Sequence, residues 1–225
     1  MDPDVDLRLM GPLGCGFATG SGTVINGLQP KANSSIAVFG TGAVGLGAIM
    51  AAVLQGCSTV IAVDIHDARL ELALELGATH TINSKTEDLQ ERLKEITGGK
   101  GVDYSVDTTG VPPVMKSSID VLAVRGVAAP IAVTPHNLEI NTSMDLVPTS
   151  RKIIGVLMGD SYPQITIRQL IDYYKQGKFP IDKLIKFYRF EDIQRAAEDS
   201  NTGKTIKPVI IIDEEYRKDE PVEYN

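Results

Sequence analysis

The stretch that decides the fold is Ser35–Ala52, SIAVFGTGAVGLGAIMAA. An apolar run, Ile36–Phe39, stops at Gly40, and glycines recur at Gly42 and Gly45 before a small-residue helical pattern begins. Gly40-Thr41-Gly42-Ala43-Val44-Gly45 is therefore G-x-G-x-x-G between a strand and a helix. The three glycines meet different physical needs. Gly40 permits a tight turn, Gly42 allows close backbone approach by a pyrophosphate, and Gly45 lets the helix pack on the strand. The helix that opens there presents unpaired N–H groups and a partial positive charge. Asp64 ends the next apolar run, nineteen residues past Gly45. A carboxylate at that point accepts hydrogen bonds from ribose hydroxyls and repels a 2′-phosphate, which favours NAD over NADP.

Outward from this motif, strand-like and helix-like stretches alternate. Strands are predicted at 36–39, 59–63, 79–82, 104–106, 126–133 and 153–157, with helices near 43–55, 68–76, 88–96 and 114–122. Alternation of this kind predicts βαβ units and a parallel sheet covered on both faces. Six strands in two halves give an α/β, doubly wound Rossmann sheet with order 3-2-1-4-5-6. Asp67 is a candidate cap for the helix ending near Leu76, and Gly77 a candidate stop. Thr97-Gly98-Gly99-Lys100-Gly101 follows a helix and precedes a strand, the reverse of a P-loop, and reads as an αβ turn. Beyond Gly159 come a helix at 162–176, a short run at 184–188, a helix at 191–200 and an apolar strand at 206–212. The expected organisation is a linker and helix at 1–30, a dinucleotide-binding domain at 31–160, C-terminal helices and strand at 161–212, and a disordered tail at 213–225.

Composition narrows the function classes. The chain has 225 residues, is 43% apolar and carries a formal net charge of −7. No basic excess exists to neutralise phosphates, so nucleic acid is not an expected partner. No apolar run is long enough to span a membrane, and MDPDVDLRLM lacks the layout of a signal peptide. Two cysteines, Cys15 and Cys57, make no disulfide framework. The expectation is a cytoplasmic protein with reduced thiols.

With the glycine motif, Asp64 and GPLGCGFATGSGTV (Gly11–Val24) in view, the chain resembles the coenzyme-binding half of zinc-dependent alcohol dehydrogenases, in the medium-chain dehydrogenase/reductase family. The wording of GPLGCGFATGSGTVINGLQP and TGGKGVDYSVDTTG is closest to the aryl-alcohol (benzyl-alcohol) branch. The resemblance runs from about Gly11 to Ile212. It implies that Cys15 is one ligand of a catalytic zinc and that Thr19 lies near the nicotinamide. Val44 packs behind that ring, beside Ala43 in the loop. Asp64 and Arg69 take the adenosine ribose, and Thr109 and Gly110 form the wall of the adenine end. Ile131, Val133, Val156 and Leu157 surround the nicotinamide, and Lys207 reaches the pyrophosphate. It further implies an alcohol or aldehyde substrate and a homodimer formed through the edge strand 153–157.

The same resemblance shows what the sequence does not offer. A catalytic zinc takes three protein ligands and an open position. Cys57, in the helical run after the glycine loop, faces packing, and His66, His80 and His136 show no ligand spacing. The chain is therefore expected to be a fragment that binds NAD without oxidising alcohol by itself. Leu184–Tyr188 and Ile206–Ile212 are expected to be poorly anchored, or to pair with each other or with a neighbouring chain. Two rivals are a stand-alone nucleotide-sensing module and a zinc-independent, quinone-reductase-like member. Cys15 in its G-C-G setting argues against both.

Overall fold

A computed structural model describes residues 5–216, 219–220 and 222–225. Six parallel strands, β1 (Ser35–Phe39), β2 (Thr59–Asp64), β3 (His80–Asn83), β4 (Val102–Asp107), β5 (Leu122–Pro130) and β6 (Lys152–Ile153), form one sheet in the order 3-2-1-4-5-6. This is the expected doubly wound arrangement. β1 pairs with β2 from Ser35 opposite Thr59 to Phe39 opposite Val63, and with β4 on its other side.

Side chains alternate across a strand, and β1 splits its apolar residues accordingly. Ile36 and Val38 enter one core with α2 (Gly16–Gly22), α3 (Ala43–Leu54) and α4 (Asp67–Glu75). Ala37 and Phe39 enter the other, with Leu93 of α5 (Leu89–Thr97) and Ile119 of α6 (Pro112–Asp120). All four are fully buried. A strand apolar on both faces belongs in a parallel sheet sandwiched between helix layers. Burying Ile36, Val38 or Phe39 stabilises the fold by roughly 1.5–3 kcal/mol each, and Ala37 by less.

The segments before and after the sheet share its first core. Leu13, Phe17 and Val24 pack there from the N-terminal side. Leu170 and Ile171 of α7 (Pro163–Lys175), with Phe179, Ile181 and Leu184, pack from the C-terminal side. The Phe17 and Phe179 rings meet edge to face, with centroids 6.3 Å apart. A short helix, α1 (Leu7–Met10), begins the described chain. Its Asp6 cap accepts from the Arg8 N–H.

β7 (Ile185–Arg189) and β8 (Lys207–Ile211) form a separate parallel pair, linked by α8 (Ile193–Asn201). Of the three outcomes expected for these segments, they pair with each other. Tyr188 is fully buried, and its hydroxyl donates to Asp199 at 2.9 Å. The Asn225 amide donates to the same hydroxyl at 2.6 Å, and Tyr224 bridges to Phe187. Of the tail expected to be disordered, residues 217, 218 and 221 lie outside the described residues.

Four local expectations need correction. The fifth strand is Leu122–Pro130, not 126–133. The sixth strand is Lys152–Ile153, not 153–157. Its ladder ends with the Ile154 N–H on the Ala128 carbonyl, and Val156 then turns onto Gly27, where a Cβ would lie 2.8 Å from a Val156 methyl. Packing against the N-terminal segment replaces the last strand residues. Asp67 does not cap α4; His66 holds that position and Asp67 is the first helical residue, accepting from the Asn83 amide. Gly77 does follow the helix end, at φ +102°. Cys57 lies past α3 rather than within it, beside the Ser34 hydroxyl. The Thr97–Gly101 segment is a turn from α5 to β4, as expected, with Gly98 in the left-handed region. No helix of the described residues is long and apolar enough to cross a membrane.

Candidate functional site

The strand order reverses between β1 and β4, which are parallel neighbours, and ligands in open α/β sheets bind at the strands' carboxyl ends beside such a switch. Three elements converge there: the Gly40–Gly45 loop after β1, Asp64 at the end of β2, and Asp107–Gly110 at the end of β4.

Gly40 has φ +85°, a conformation that L side chains rarely adopt, and a Cβ there would lie 2.5 Å from Thr108 Oγ1. Its N–H donates to the Val63 carbonyl at 2.8 Å. Thr108 Oγ1 in turn donates to the Phe39 and Gly40 carbonyls at 3.0 and 3.1 Å, bracing the loop from β4. Gly45 is buried where α3 crosses the strand end, and a Cβ would meet the Gly40 carbonyl oxygen at 1.8 Å. Gly42 is different. It is the N-cap residue of α3, with φ −75°, and a Cβ there would meet nothing within 4 Å. The loop is thus closed underneath and open above the helix N-terminus. That is the shape a diphosphate requires.

Asp64 is 7% exposed, and its carboxylate is fully engaged. Oδ2 accepts from the Thr41 N–H at 2.6 Å and from the Thr41 hydroxyl at 2.8 Å. Oδ1 accepts from the N–H groups of Ile65 at 2.7 Å and His66 at 3.1 Å. Burial pushes the carboxyl upward, but these hydrogen bonds outweigh it and hold the group below the usual carboxylate range. Asp107 goes the other way. It is fully buried, and burial raises it despite donors from Thr109 and Gly110. Its carboxylate accepts from the Thr109 hydroxyl at 2.7 Å and the Gly110 N–H at 3.1 Å, which sets the turn at the expected adenine end. Thr109 itself is exposed and Gly110 is buried at φ +67°.

Arg69, on α4, is half-buried and packs over the turn between α8 and β8. A Cβ on Gly203 would lie 2.8 Å from its Nη2. Its Nε is buried and has no hydrogen-bond partner among the described residues. The open cradle at Gly42 fits the diphosphate of a dinucleotide. Lys207 opens β8, opposite Ile185.

Of the residues expected at the nicotinamide, Thr19 lies on α2 and Val44 on α3, where the two helices cross. α2 crosses α3 so closely that a Cβ on Gly20 would lie 1.9 Å from the Val44 carbonyl oxygen. Ala43 and Val44 are half-buried at this crossing, where a Cβ on Gly16 would touch both their side chains. The Thr19 hydroxyl lies 3.7 Å from the Met158 sulfur. Met158, Gly159 and Asp160 are all left-handed, at φ 51°, 69° and 45°. The Asn26 amide donates to the Gly159 carbonyl at 2.9 Å and holds that turn against α2. Ile131 is half-buried and donates its N–H to the Asp107 carbonyl at 2.9 Å. Val133 and Leu157 stand exposed at 101% and 78%, while Val156 is packed on Gly27.

Cys15 is exposed at the start of α2. Among the described residues no three His, Cys, Asp or Glu side chains converge as a metal site would need. His66, His80 and His136 are all exposed. The described residues thus do not make a zinc site.

Sequence reasoning missed three supports. Thr41 occupies a position that the glycine motif leaves unspecified, and Thr108 reaches the motif from the end of β4. Asn26 reaches a turn far along the chain.

Residues 43–176 match the zinc-binding dehydrogenase family. The chain is 40% identical over 215 residues to geraniol dehydrogenase from Castellaniella defragrans, covering 92% of this chain and 56% of that enzyme. It superposes on benzyl alcohol dehydrogenase from Acinetobacter calcoaceticus with a TM-score of 0.91 and 44% identity, over 95% of this chain and 59% of that one. An alcohol dehydrogenase zinc-binding domain protein from Burkholderia ambifaria gives 0.89 and 47%, over 93% and 57%. The chain spans about half the length of the curated relatives it matches. The glycine loop, the strand order and the family match over most of the sheet agree, and the chain belongs to the zinc-binding dehydrogenase family.

Proposed function

We propose that the chain is the NAD-binding part of an alcohol dehydrogenase that moves hydride between an alcohol or aldehyde and NAD. The observation that carries this reading is the open face over Gly42, on a loop whose Thr41 is hydrogen-bonded to Asp64. The diphosphate lies on the α3 N-terminus, where free N–H groups and the helix dipole favour negative charge. Asp64 takes the adenosine ribose, and its ionised state disfavours the 2′-phosphate of NADP. Thr109 and Gly110 border the adenine. Thr19, Val44, Ile131, Val133, Val156 and Leu157 surround the nicotinamide, with Lys207 toward the diphosphate.

When bound, zinc would polarise the alcohol oxygen and lower its pKa. Cys15 supplies one ligand where three are needed, so the chain by itself binds coenzyme and does not turn over alcohol. Geraniol and benzyl alcohol, in the names of two relatives, make an allylic or aryl alcohol the proposed substrate class. A homodimer along the β6 edge and a cytoplasmic setting complete the reading.

Calorimetry of the 225-residue chain with NADH and NADPH tests it. NADH should bind at least tenfold tighter, and Asp64→Ala should erase most of that preference. Equal affinities in the wild type would refute the NAD assignment, and no binding of either would refute the site.

A further inference from the structure

We propose that the Thr41 hydroxyl occupies the acceptor position on Asp64 that a ribose hydroxyl of the coenzyme takes, making Thr41 a built-in competitor that sets how much the ribose contributes to affinity. The inference rests on the NAD reading above and adds a residue which that reading does not require.

The starting point is acceptor capacity. An ionised carboxylate offers about four lone-pair positions, two on each oxygen. On Asp64 all four are taken by the protein's own donors. Ile65 and His66 N–H groups fill Oδ1, and the Thr41 N–H and hydroxyl fill Oδ2. Asp64 is 7% exposed and Thr41 has no exposed surface. A ribose diol that arrives here finds a saturated acceptor. One of the four donors must yield before a ribose hydroxyl can be accepted.

Mobility decides which one. The Ile65 and His66 amides belong to the turn that leads into α4. The Thr41 amide lies between Gly40, whose N–H is tied to the Val63 carbonyl, and Gly42, whose carbonyl accepts from the Leu46 N–H at 2.9 Å. Moving any of these three displaces main chain in the phosphate loop or at the end of β2. The Thr41 hydroxyl sits on a single side-chain bond, and threonine has more than one accessible χ1 state. It is the one donor that can leave without disturbing the loop. The bond it gives up is charge-assisted and of the stronger class. Ribose binding therefore exchanges one such bond for another instead of adding one, and part of the ribose contribution is cancelled.

The test uses ADP and 2′-deoxy-ADP as probes of the adenosine end, titrated calorimetrically into the full chain. Thr41→Val keeps the side-chain shape and removes the hydroxyl. It should bind ADP about tenfold or more tighter than wild type, as a hydrogen bond to a charged group is worth. The ratio of ADP to 2′-deoxy-ADP affinity should rise by a similar factor. Thr41→Ser, which retains a hydroxyl, should restore the wild-type ratio. Loss of a merely structural contact would shift both probes equally and leave the ratio alone. If Thr41→Val does not fold, Thr41→Ala carries the same comparison. An unchanged or lower ratio in a folded, hydroxyl-less variant overturns the inference and leaves the NAD reading standing. A wild type that binds neither ADP nor NADH overturns the NAD reading itself, and this inference with it.

Discussion

The Gly45 α-carbon crosses the Gly40 carbonyl so closely that a Cβ would lie 1.8 Å from its oxygen, whereas a Cβ on Gly42, between them, would touch nothing within 4 Å. Two glycines of one motif are thus required for different reasons. Gly45→Ala forces main chain apart at the β1–α3 junction and should destabilise the fold by about 3 kcal/mol or more. Gly42→Ala should cost under about 1 kcal/mol in urea unfolding. It should nonetheless weaken NADH binding at least tenfold, because its methyl group fills the space proposed for the diphosphate. A Gly42→Ala chain that is both stable and tight-binding would remove the phosphate from that surface.

Asp64 and Asp107 lie at the ends of β2 and β4 and are shifted in opposite directions. The folded value of Asp64 is depressed by its donors. Its contribution to stability is therefore fully present above the unfolded value near 3.9, and it is lost as pH falls through the folded value. Asp107 is raised by burial, so ionising it costs stability, and that cost disappears as pH falls through its folded value toward the unfolded one. The stability gap between wild type and Asp64→Asn should be largest at neutral pH and narrow only below about pH 4. Urea midpoints at pH 7, 5 and 3.5 measure it. A gap that closes between pH 7 and 5 would contradict the hydrogen-bond set on Asp64.

Phe179 is fully buried against Phe17, far from it in sequence. Phe179→Ala should cost about 3–5 kcal/mol, the range for deleting a buried aromatic ring. Unfolding followed by both far-UV circular dichroism and tyrosine fluorescence should show one shared transition in the wild type. Two transitions would mean that the C-terminal segment does not share the sheet's core.

The two thiols should differ in reactivity. Cys15 is exposed, whereas Cys57 is half-buried and burial raises its thiol. The thiolate is the reactive form. A thiol-specific disulfide reagent at pH 8 should modify Cys15 at least tenfold faster than Cys57. Equal rates, separated by peptide mapping, would contradict the described packing of Cys57 beside Ser34.

Local pattern was enough for the sheet and for its glycine loop. The Ile36–Phe39 run, the three glycines and Asp64 are read from neighbours a few residues apart, because strand alternation, helix periodicity and turn chemistry act over that range. The same short range is why the sixth strand is shorter than its apolar run predicts. Ile153–Leu157 is apolar enough for a strand, but nothing in those five residues announces that Gly27 would receive Val156.

By itself, then, the amino-acid sequence determined the fold class, the strand order and the glycine loop between β1 and α3, since each follows from short-range periodicity and from the backbone freedom of glycine. Tertiary structure alone decided that Thr41 reaches Asp64, that Arg69 is carried against Gly203, and that Asn26 clamps the left-handed turn at Gly159. Those pairings join residues separated along the chain, and only the closing of the helices over the sheet brings them within hydrogen-bond or packing distance.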